Sequence, residues 1–230
     1  GYEFDGIYQV DDFYTSAATG KLILKPGITN NTRYDGGAAP GVVKYKDQNG
    51  DGKITTADRT VIGNAMPKWF GGITNSFSFK GIDFSFMLQY SYGNDVFNAT
   101  RQFATGSQDQ RYNMLAEVAD RWSPTNASNK VPSTKGYVKG DVYSRFVEDG
   151  SFLRLKNMTL GYSLPKKWIN KIHISKLRIY GTTQNLFCIS GYSGYDPEVS
   201  TAASNPMTPG LDWGAYPKSR VFTFGLDVQF

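Results

Sequence analysis

The final eleven residues of the chain, 220–230, alternate between apolar and polar side chains. Successive side chains of a strand point to opposite faces, so this pattern predicts a strand with one apolar face and one polar face. Such a strand suits the wall of an outer-membrane β-barrel, where lipid covers one face and water the other. An amphipathic strand of a soluble β-sandwich has the same period. The apolar side chains are Phe222, Phe224, Leu226, Val228 and Phe230.

Residues 69–92 repeat the alternation and predict a β-hairpin around a tight Lys80-Gly81 turn. Its second strand carries six apolar residues on one face. At about 3.3 Å per residue they span roughly 35 Å. A tilted strand of that length crosses the hydrocarbon layer of a bilayer. The six residues are Ile82, Phe84, Phe86, Leu88, Tyr90 and Tyr92.

Two further strands are predicted over 152–164 and 177–187, with less regular alternation. Met158 and Leu160 share one face, whereas Leu153 and Leu155 fall on the other, which predicts a β-bulge or a change of environment between them. The polar segment before these strands contains one predicted short helix, from Arg111 to Trp122, which Ser123-Pro124 ends.

Long and short connections alternate along the chain. Soluble sandwiches seldom carry three loops of more than about 25 residues, whereas outer-membrane barrels combine short periplasmic turns with long extracellular loops. We therefore predict an all-β fold: the C-terminal strands of a large antiparallel transmembrane β-barrel, with one short loop helix. Only five complete strands are predicted, so the chain is expected to be a fragment or to close with another chain. The predicted extracellular loops are 13–67, 94–150 and 188–219; the predicted periplasmic turns are 80–81 and 165–174.

Composition agrees with a strand-rich fold. Fifteen Tyr, fifteen Phe and 25 Gly favour strands and turns over helices. No run of eighteen apolar residues exists, so the sequence predicts no transmembrane helix. The net charge is +5, yet the 25 Lys and Arg residues are scattered, so we expect no nucleic-acid partner.

Residues 47–58 match the calcium-loop pattern, with oxygen ligands at positions 1, 3, 5, 7 and 12 and Gly at position 6. Asp58 stands where Glu is usual, which shortens the reach of that carboxylate. The other interpretation is a turn of Asp, Asn and Gly residues without an ion. We expect structural Ca²⁺, bound by the side chains of Asp47, Asn49, Asp51 and Asp58 and the backbone carbonyl of Lys53.

Catalytic arrangements are scarce. His173 is the single histidine, so no Ser-His-Asp or Cys-His set is available. Asp196 and Glu198 flank Pro197 and are expected to order their loop rather than to form a glycosidase pair. Cys188 is expected to be a small buried residue at a strand end. The sequence therefore predicts no enzymatic activity.

Four aromatic residues of the last long loop are candidates for contacts with a substrate or a partner. Aromatic side chains of a loop can stack on sugar rings or pack on their own loop, and the sequence leaves both open. The candidates are Tyr192, Tyr195, Trp213 and Tyr216.

Several segments together resemble the SusC/RagA-like TonB-dependent outer-membrane transporters of Bacteroidota. They occur in the order of that family and cover nearly the whole chain. The segments are GYEFDGIY at 1–8, DQNGDGKI at 47–54, SFLRLKN at 151–157, NLF at 185–187, GYSGYDPE at 191–198 and YPKSR at 216–220.

The resemblance implies the C-terminal barrel part, 1–230, of an importer of oligosaccharides or peptides in the outer membrane. It also implies several partners: a SusD-like surface lipoprotein, TonB acting through an N-terminal part, outer-membrane lipids, and the barrel-assembly machinery, which would recognise the strand ending at Phe230. The plug domain of the family has no counterpart in these residues. The alternative function is a secreted soluble β-sandwich module that binds calcium and glycan.

Overall fold

The computed structural model describes residues 1–106, 112–169, 173–201 and 207–230. Two compact units divide the chain. The first, here the loop unit, comprises Gly1–Asn64, Phe97–Glu148 and Leu211–Trp213. The second, here the sheet unit, comprises Ala65–Val96, Asp149–Gly210 and Gly214–Phe230.

Strands dominate the described residues. Two α-helices, α1 (Ala99–Gly106) and α2 (Lys166–Ile169), accompany four 3₁₀ turns. None of the described helices is long and apolar enough to cross a membrane. In chain order the strands are β1 (Phe4–Ile7), β2 (Phe13–Thr15), β3 (Leu22–Leu24), β4 (Val43–Tyr45), β5 (Trp69–Phe79), β6 (Ile82–Tyr92), β7 (Asp95–Asn98), β8 (Val147–Asp149), β9 (Phe152–Ser163), β10 (Lys176–Ser190), β11 (Leu211–Asp212) and β12 (Val221–Gln229).

The sheet unit is built on five long strands in the order β12-β10-β9-β6-β5. All of its pairings are antiparallel. The predicted hairpin is confirmed, with Trp69 opposite Tyr92 and Phe79 opposite Ile82. Lys80 and Gly81 both have positive φ, 47° and 86°, as a two-residue hairpin turn requires.

The predicted bulge is also present. The register of β9 against β6 shifts beside Met87 and Leu88, and that of β9 against β10 shifts between Gln184 and Phe187. Asn185 has a positive φ of 51°. One extra residue in a strand reverses the facing of everything beyond it, so Leu153 and Leu155 rejoin the face that carries Met158.

The five strands therefore share one apolar face. The aligned positions include Phe77 with Phe84, Leu160 with Gly181, and Leu226 with Ile179. Phe77, Leu226 and Phe224 of this face are more than half exposed, with 85% at Phe224, whereas Phe84 is half-buried. A soluble protein rarely leaves so large an apolar patch open. The predicted all-β, antiparallel fold is thus confirmed for the described residues: five long strands form a sheet with one apolar face and one polar face.

The opposite face is polar and is ordered in rows across the strands. One row consists entirely of hydroxyl side chains, and the hydroxyls of Thr159 and Thr182 lie 2.6 Å apart within it. Cross-strand hydroxyl pairs of this kind stabilise neighbouring strands. The row is Ser76, Ser85, Thr159, Thr182 and Thr223.

The loop unit has a core of its own, rich in tyrosine. Tyr2 stacks on Tyr45 with ring centroids 4.9 Å apart, and Tyr143 lies 5.4 Å from Tyr45. All three are essentially buried, as are Tyr8 and Phe146. The long connections within this unit are therefore folded around an apolar centre rather than structureless. Their predicted position outside the cell stays a prediction.

The predicted helix over 111–122 is wrong for the residues that the structure describes; Arg111 lies outside them. Only a 3₁₀ turn, Ala116–Asp120, forms there, preceded by Leu115 in an extended conformation. Trp122 is drawn into long-range contacts, because its indole nitrogen donates to Gln9 and its backbone N–H donates to Val131. The α-helix of this region is α1, which lies before the predicted segment.

Candidate functional site

The predicted metal loop folds as a series of tight turns. The Asp47 carboxylate accepts the backbone N–H groups of Gly50 at 2.7 Å and Gly52 at 2.8 Å. Asn49 Oδ1 accepts the N–H of Asp51 at 2.9 Å. Both glycines have positive φ, 75° and 79°, a conformation that glycine adopts without strain.

The electrostatics of the loop favour an ionised carboxylate at Asp47. Desolvation acts to raise the pKa of Asp47, but the N–H groups of Gly52 and Gly50 outweigh it and hold the pKa below its usual value. Asp51 Oδ1 accepts the N–H of Lys53 at 2.9 Å. Ile54 is fully buried and fixes the loop to the tyrosine core. These features suit a cation but do not require one.

Asp58 closes the loop. Its carboxylate is buried and accepts the N–H of Gln48 at 3.0 Å and that of Thr55 at 2.7 Å. The last predicted ligand is thus bound to the start and end of the loop. Oδ2 also accepts the Thr55 hydroxyl at 3.4 Å, whereas Oδ1 accepts the N–H of Gln48 and keeps a lone pair with which it could coordinate a cation.

The fit to a metal ion is partial. Within the described part of the chain, no three His, Cys, Asp or Glu side chains are gathered as a metal-binding group. The pattern also uses the Asn49 amide oxygen and the Lys53 carbonyl, which a hard cation accepts equally well.

The four aromatic candidates differ in exposure. Tyr195 and Tyr216, both in the sheet unit, are more than four-fifths exposed. Tyr192 is only 8% exposed, so its ring has little surface to offer a ligand. Trp213 belongs to the loop unit, and no shared site for the four follows from the structure.

Trp213 lines a cavity of about 690 Å³ together with Phe103 and Gln102 of α1. The rings of Trp213 and Phe103 meet edge to face at 5.5 Å, and Tyr112 lies 5.2 Å from Phe103. Sequence reasoning missed Phe103, because one aromatic residue in a polar helix carries no periodic signal. Aromatic walls with few polar groups are typical of small-ligand sites.

An ion cluster ties the last long loop to the polar face of the sheet. Arg154 Nη2 bonds Asp196, and both side chains are only 4% exposed. Asp196 also accepts the backbone N–H groups of Glu198 and Lys218. Lys218 Nζ contacts Glu198 at 2.5 Å, and Lys156 Nζ lies 3.7 Å from the same oxygen. The expectation that Asp196 and Glu198 order their loop therefore matches the contacts.

A second cluster lies nearer the hairpin turn. Arg178 binds Asp83 through two bonds, at 2.6 and 2.9 Å, and reaches Asp227 at 3.2 Å. A β-carbon at Gly161 would lie 2.5 Å from the guanidinium. The glycine thus lets the arginine lie flat across the strands. Tyr180 lies over Gly225 in the same way.

The remaining reactive residues show no catalytic arrangement among the described groups. Cys188 is exposed, which corrects the expectation of a buried thiol. Strand β10 continues to Ser190, so Cys188 lies within the strand and not at its end. In the strand register Cys188 is opposite Arg154, on the polar face. His173 has a positive φ of 58° after the short connection, as a turn residue often has.

Comparison with curated proteins gives relatives of one kind. The chain is 34% identical over 235 residues to the TonB-dependent receptor P3 of Formosa agariphila, matching all of this chain and 22% of the receptor. It is 37% identical over 195 residues to receptor P26 of the same organism, which covers 83% of the chain. It is 32% identical over 199 residues to the TonB-dependent receptor SusC of Bacteroides thetaiotaomicron, which covers 86% of the chain. The chain spans about a fifth of the length of these relatives.

Solved structures give the same fold. The match to the RagAB peptide importer in its open-open state covers all of this chain and 22% of the importer chain, with a TM-score of 0.69 and 21% identity. Its closed-closed state matches with a TM-score of 0.69 and 24% identity. At these identities the likeness concerns the fold alone. No family model matches the chain.

Proposed function

The chain is a barrel portion of a SusC-like TonB-dependent transporter, and from this we propose that it builds part of the wall of an outer-membrane nutrient importer. The cargo is an oligosaccharide or a peptide that passes through the pore without chemical change. The receptor and importer names of the relatives support transport rather than catalysis.

One observation carries the proposal: the five-stranded sheet has an exposed apolar face and a polar face with paired charges. Lipid tails would cover the apolar face, whereas water and cargo would meet the polar one. The rival soluble sandwich needs a second layer packed on those rings, and their exposure in this structure argues against it.

The partners follow from the proposed importer. A SusD-like surface lipoprotein would cover the extracellular mouth, and TonB would act through parts outside this chain. Strand β12 and Phe230 would be read by the barrel-assembly machinery. The outer membrane of a Bacteroidota cell would be the location. The exposed rings of Tyr195 and Tyr216 and the cavity beside Trp213 are candidates for contacts with cargo or lid.

Calcium is a second proposal. The loop at 47–58 would bind Ca²⁺ through Asp47, Asn49, Asp51, Asp58 and the Lys53 carbonyl. Outside the cell, calcium is millimolar, so even a weak site would be filled. The ion would hold the carboxylates of the loop together and would take no part in transport.

Gene deletion tests the importer. Cells of the source bacterium that lack the full-length transporter should lose growth on one oligosaccharide or peptide mixture, while growth on the corresponding monomers persists. A copy with an epitope tag should fractionate with the outer membrane. Recovery of the full-length protein in the soluble fraction would refute the proposal.

A further inference from the structure

One segment of the last long loop folds back onto the polar face of the sheet. This segment, here the strap, comprises residues 191–198. Its start is fixed at Ser190, whose hydroxyl donates to the Ser151 carbonyl at 2.9 Å and accepts the N–H of Tyr192 at 3.1 Å. Tyr192 is buried, and so is Asp196 near the other end of the strap. The strap is therefore docked on the sheet at both of its ends.

The β-bulge of β9 supplies the cations that hold the strap. Leu155 and Asn157 each have a register partner on β6 and on β10, whereas Lys156 between them has none. An extra residue of this kind re-aims a side chain. Lys156 Nζ lies 3.7 Å from the carboxylate of Glu198, and Arg154 precedes the bulge on the polar face. The bulge thus brings two cations of one strand to the strap.

Two carboxylates of the strap receive these cations. Asp196 binds Arg154 Nη2, and Glu198 Oε2 lies 3.5 Å from Arg154 Nε. The side chains of Arg154 and Asp196 are each only 4% exposed. Charges that are shielded from water attract one another more strongly than surface charges do, and salt screens them less. Opening the strap would require these shielded ions to separate.

The chain returns to the same carboxylates just before β12. The backbone N–H of Lys218 donates to Asp196 at 3.3 Å, and Lys218 Nζ contacts Glu198 at 2.5 Å. The next residue, Ser219, accepts a hydrogen bond from the Asn185 side-chain amide at 3.1 Å through its carbonyl. Both stems of the loop therefore share one set of ion pairs. The strap cannot swing away from the sheet without also releasing Lys218.

Resting on the importer proposed above, we propose that the strap is a permanent constriction of the passage, which stays closed on the polar face while cargo moves past it. Arg154 and Lys156 are its positioning residues. Segments that open and close have few buried contacts and solvent-exposed bonds at their base, whereas the base of this strap is buried and ion-paired. The width of the passage beside β9 is then constant, and this segment does not gate the entry of cargo.

Hydrogen exchange of the purified full-length transporter in detergent, followed by mass spectrometry, tests the strap. A gating segment has a minor open state populated at roughly 0.1–10%. Peptides that cover 191–198 should therefore exchange at least about 1,000-fold more slowly than an unprotected chain, since the strap is not such a segment. Faster exchange than this limit would mean that the strap opens and would overturn the proposal.

Two variants test whether the ion pairs hold the strap. Arg154→Gln should speed the exchange of 191–198 about tenfold, because it removes a charge-assisted hydrogen bond of the buried pair. Glu198→Gln keeps the shape of its side chain and should speed exchange by a smaller factor, and it serves where Arg154→Gln does not assemble. Exchange that stays at the wild-type rate in these variants would overturn the role of the ion pairs.

Arg178→Gln is the matched control. It removes another arginine of the polar face, but the partners of Arg178 are Asp83 of β6 and Asp227 of β12, so its ion pairs join strands only. The exchange of 191–198 should stay at the wild-type rate. Equal acceleration in Arg178→Gln and Arg154→Gln would mean a general loosening of the sheet and overturn the proposal. These results concern the strap alone, because the growth defect of the deletion and the membrane fractionation decide the importer independently.

Discussion

The two units of the chain use the same residue types in opposite ways. In the loop unit, Tyr2, Tyr45 and Tyr143 are buried against one another. In the sheet unit, Phe77 and Phe224 stand exposed. Aromatic content alone therefore says little about where a core lies. The two units differ in the spacing of their aromatic residues along the chain. Irregularly spaced aromatics pack together in the core of the loop unit, whereas strictly alternating aromatics line one exposed face of the sheet unit.

The largest expected effect comes from emptying the loop-unit core. Phe146→Ala removes a buried ring and should destabilise that unit by about 3–5 kcal/mol, as large-to-small changes in cores do. Phe224→Ala removes an exposed ring and should cost much less. Hydrogen exchange on the full-length protein in detergent measures both. Equal effects would mean that Phe224 is packed against protein.

A charge on the apolar face should come next. Phe84→Lys places a cation where lipid is expected and should cost about 2–4 kcal/mol at the bilayer centre. Ser85→Lys places the same charge one residue on, toward the polar face, and should be tolerated. The amount of protein in the outer membrane is the measure. If both variants assemble equally well, the apolar face does not contact lipid while the polar face contacts water.

Removal of calcium should have a smaller effect, confined to the loop unit. At a calcium concentration about ten times Kd, binding contributes about 1.4 kcal/mol. A chelator should then raise protease cleavage within 41–63, and Asp51→Asn should raise it without chelator. Cleavage elsewhere serves as the control. If the chelator does not change cleavage, the loop binds no calcium and is a set of tight turns closed by Asp58.

Acid should produce the smallest effect. The bond to Arg101 outweighs desolvation and holds the pKa of Glu117 below its usual value of 4.5. A carboxyl with a lowered folded-state pKa stabilises the fold above pH 4.5, and that stabilisation is lost as pH falls through the folded-state value. Hydrogen exchange in the loop unit should speed up in that acidic range. Glu117→Gln should start less protected and change less with pH.

Local rules account for the sheet. Alternation predicted its strands, the Lys80-Gly81 pair predicted the turn, and the phase change after Leu155 predicted the bulge. Each of these signals involves residues that are close together in the sequence, so each can be recognised without knowledge of the tertiary structure. The wrong helix prediction shows what local rules miss. The conformation at Trp122 is set by its hydrogen bond to Gln9, which is distant in the sequence, and not by neighbouring residues.

The candidate sites depended on distant pairings and were harder to predict. The sequence predicts that Asp196 and Glu198 order their loop, but it does not identify Arg154, which lies 42 residues from Asp196 along the chain, as their partner. The hydroxyl row depends on the register of four strand pairings, and β-bulges shift the register of two of them. The pattern at 47–58 is continuous in the sequence, so its tight turns could be anticipated. The calcium ion itself stays a prediction.

The glycine beneath Arg178 has a consequence for the width of the proposed passage. At Gly161 a hydrogen atom stands where any other residue would place a carbon against the guanidinium. The long cationic side chain can therefore lie along the wall as a lining instead of projecting as an obstacle. In the proposed importer, clearance for cargo at this level would thus depend on the smallest side chain in the strand and not on the largest.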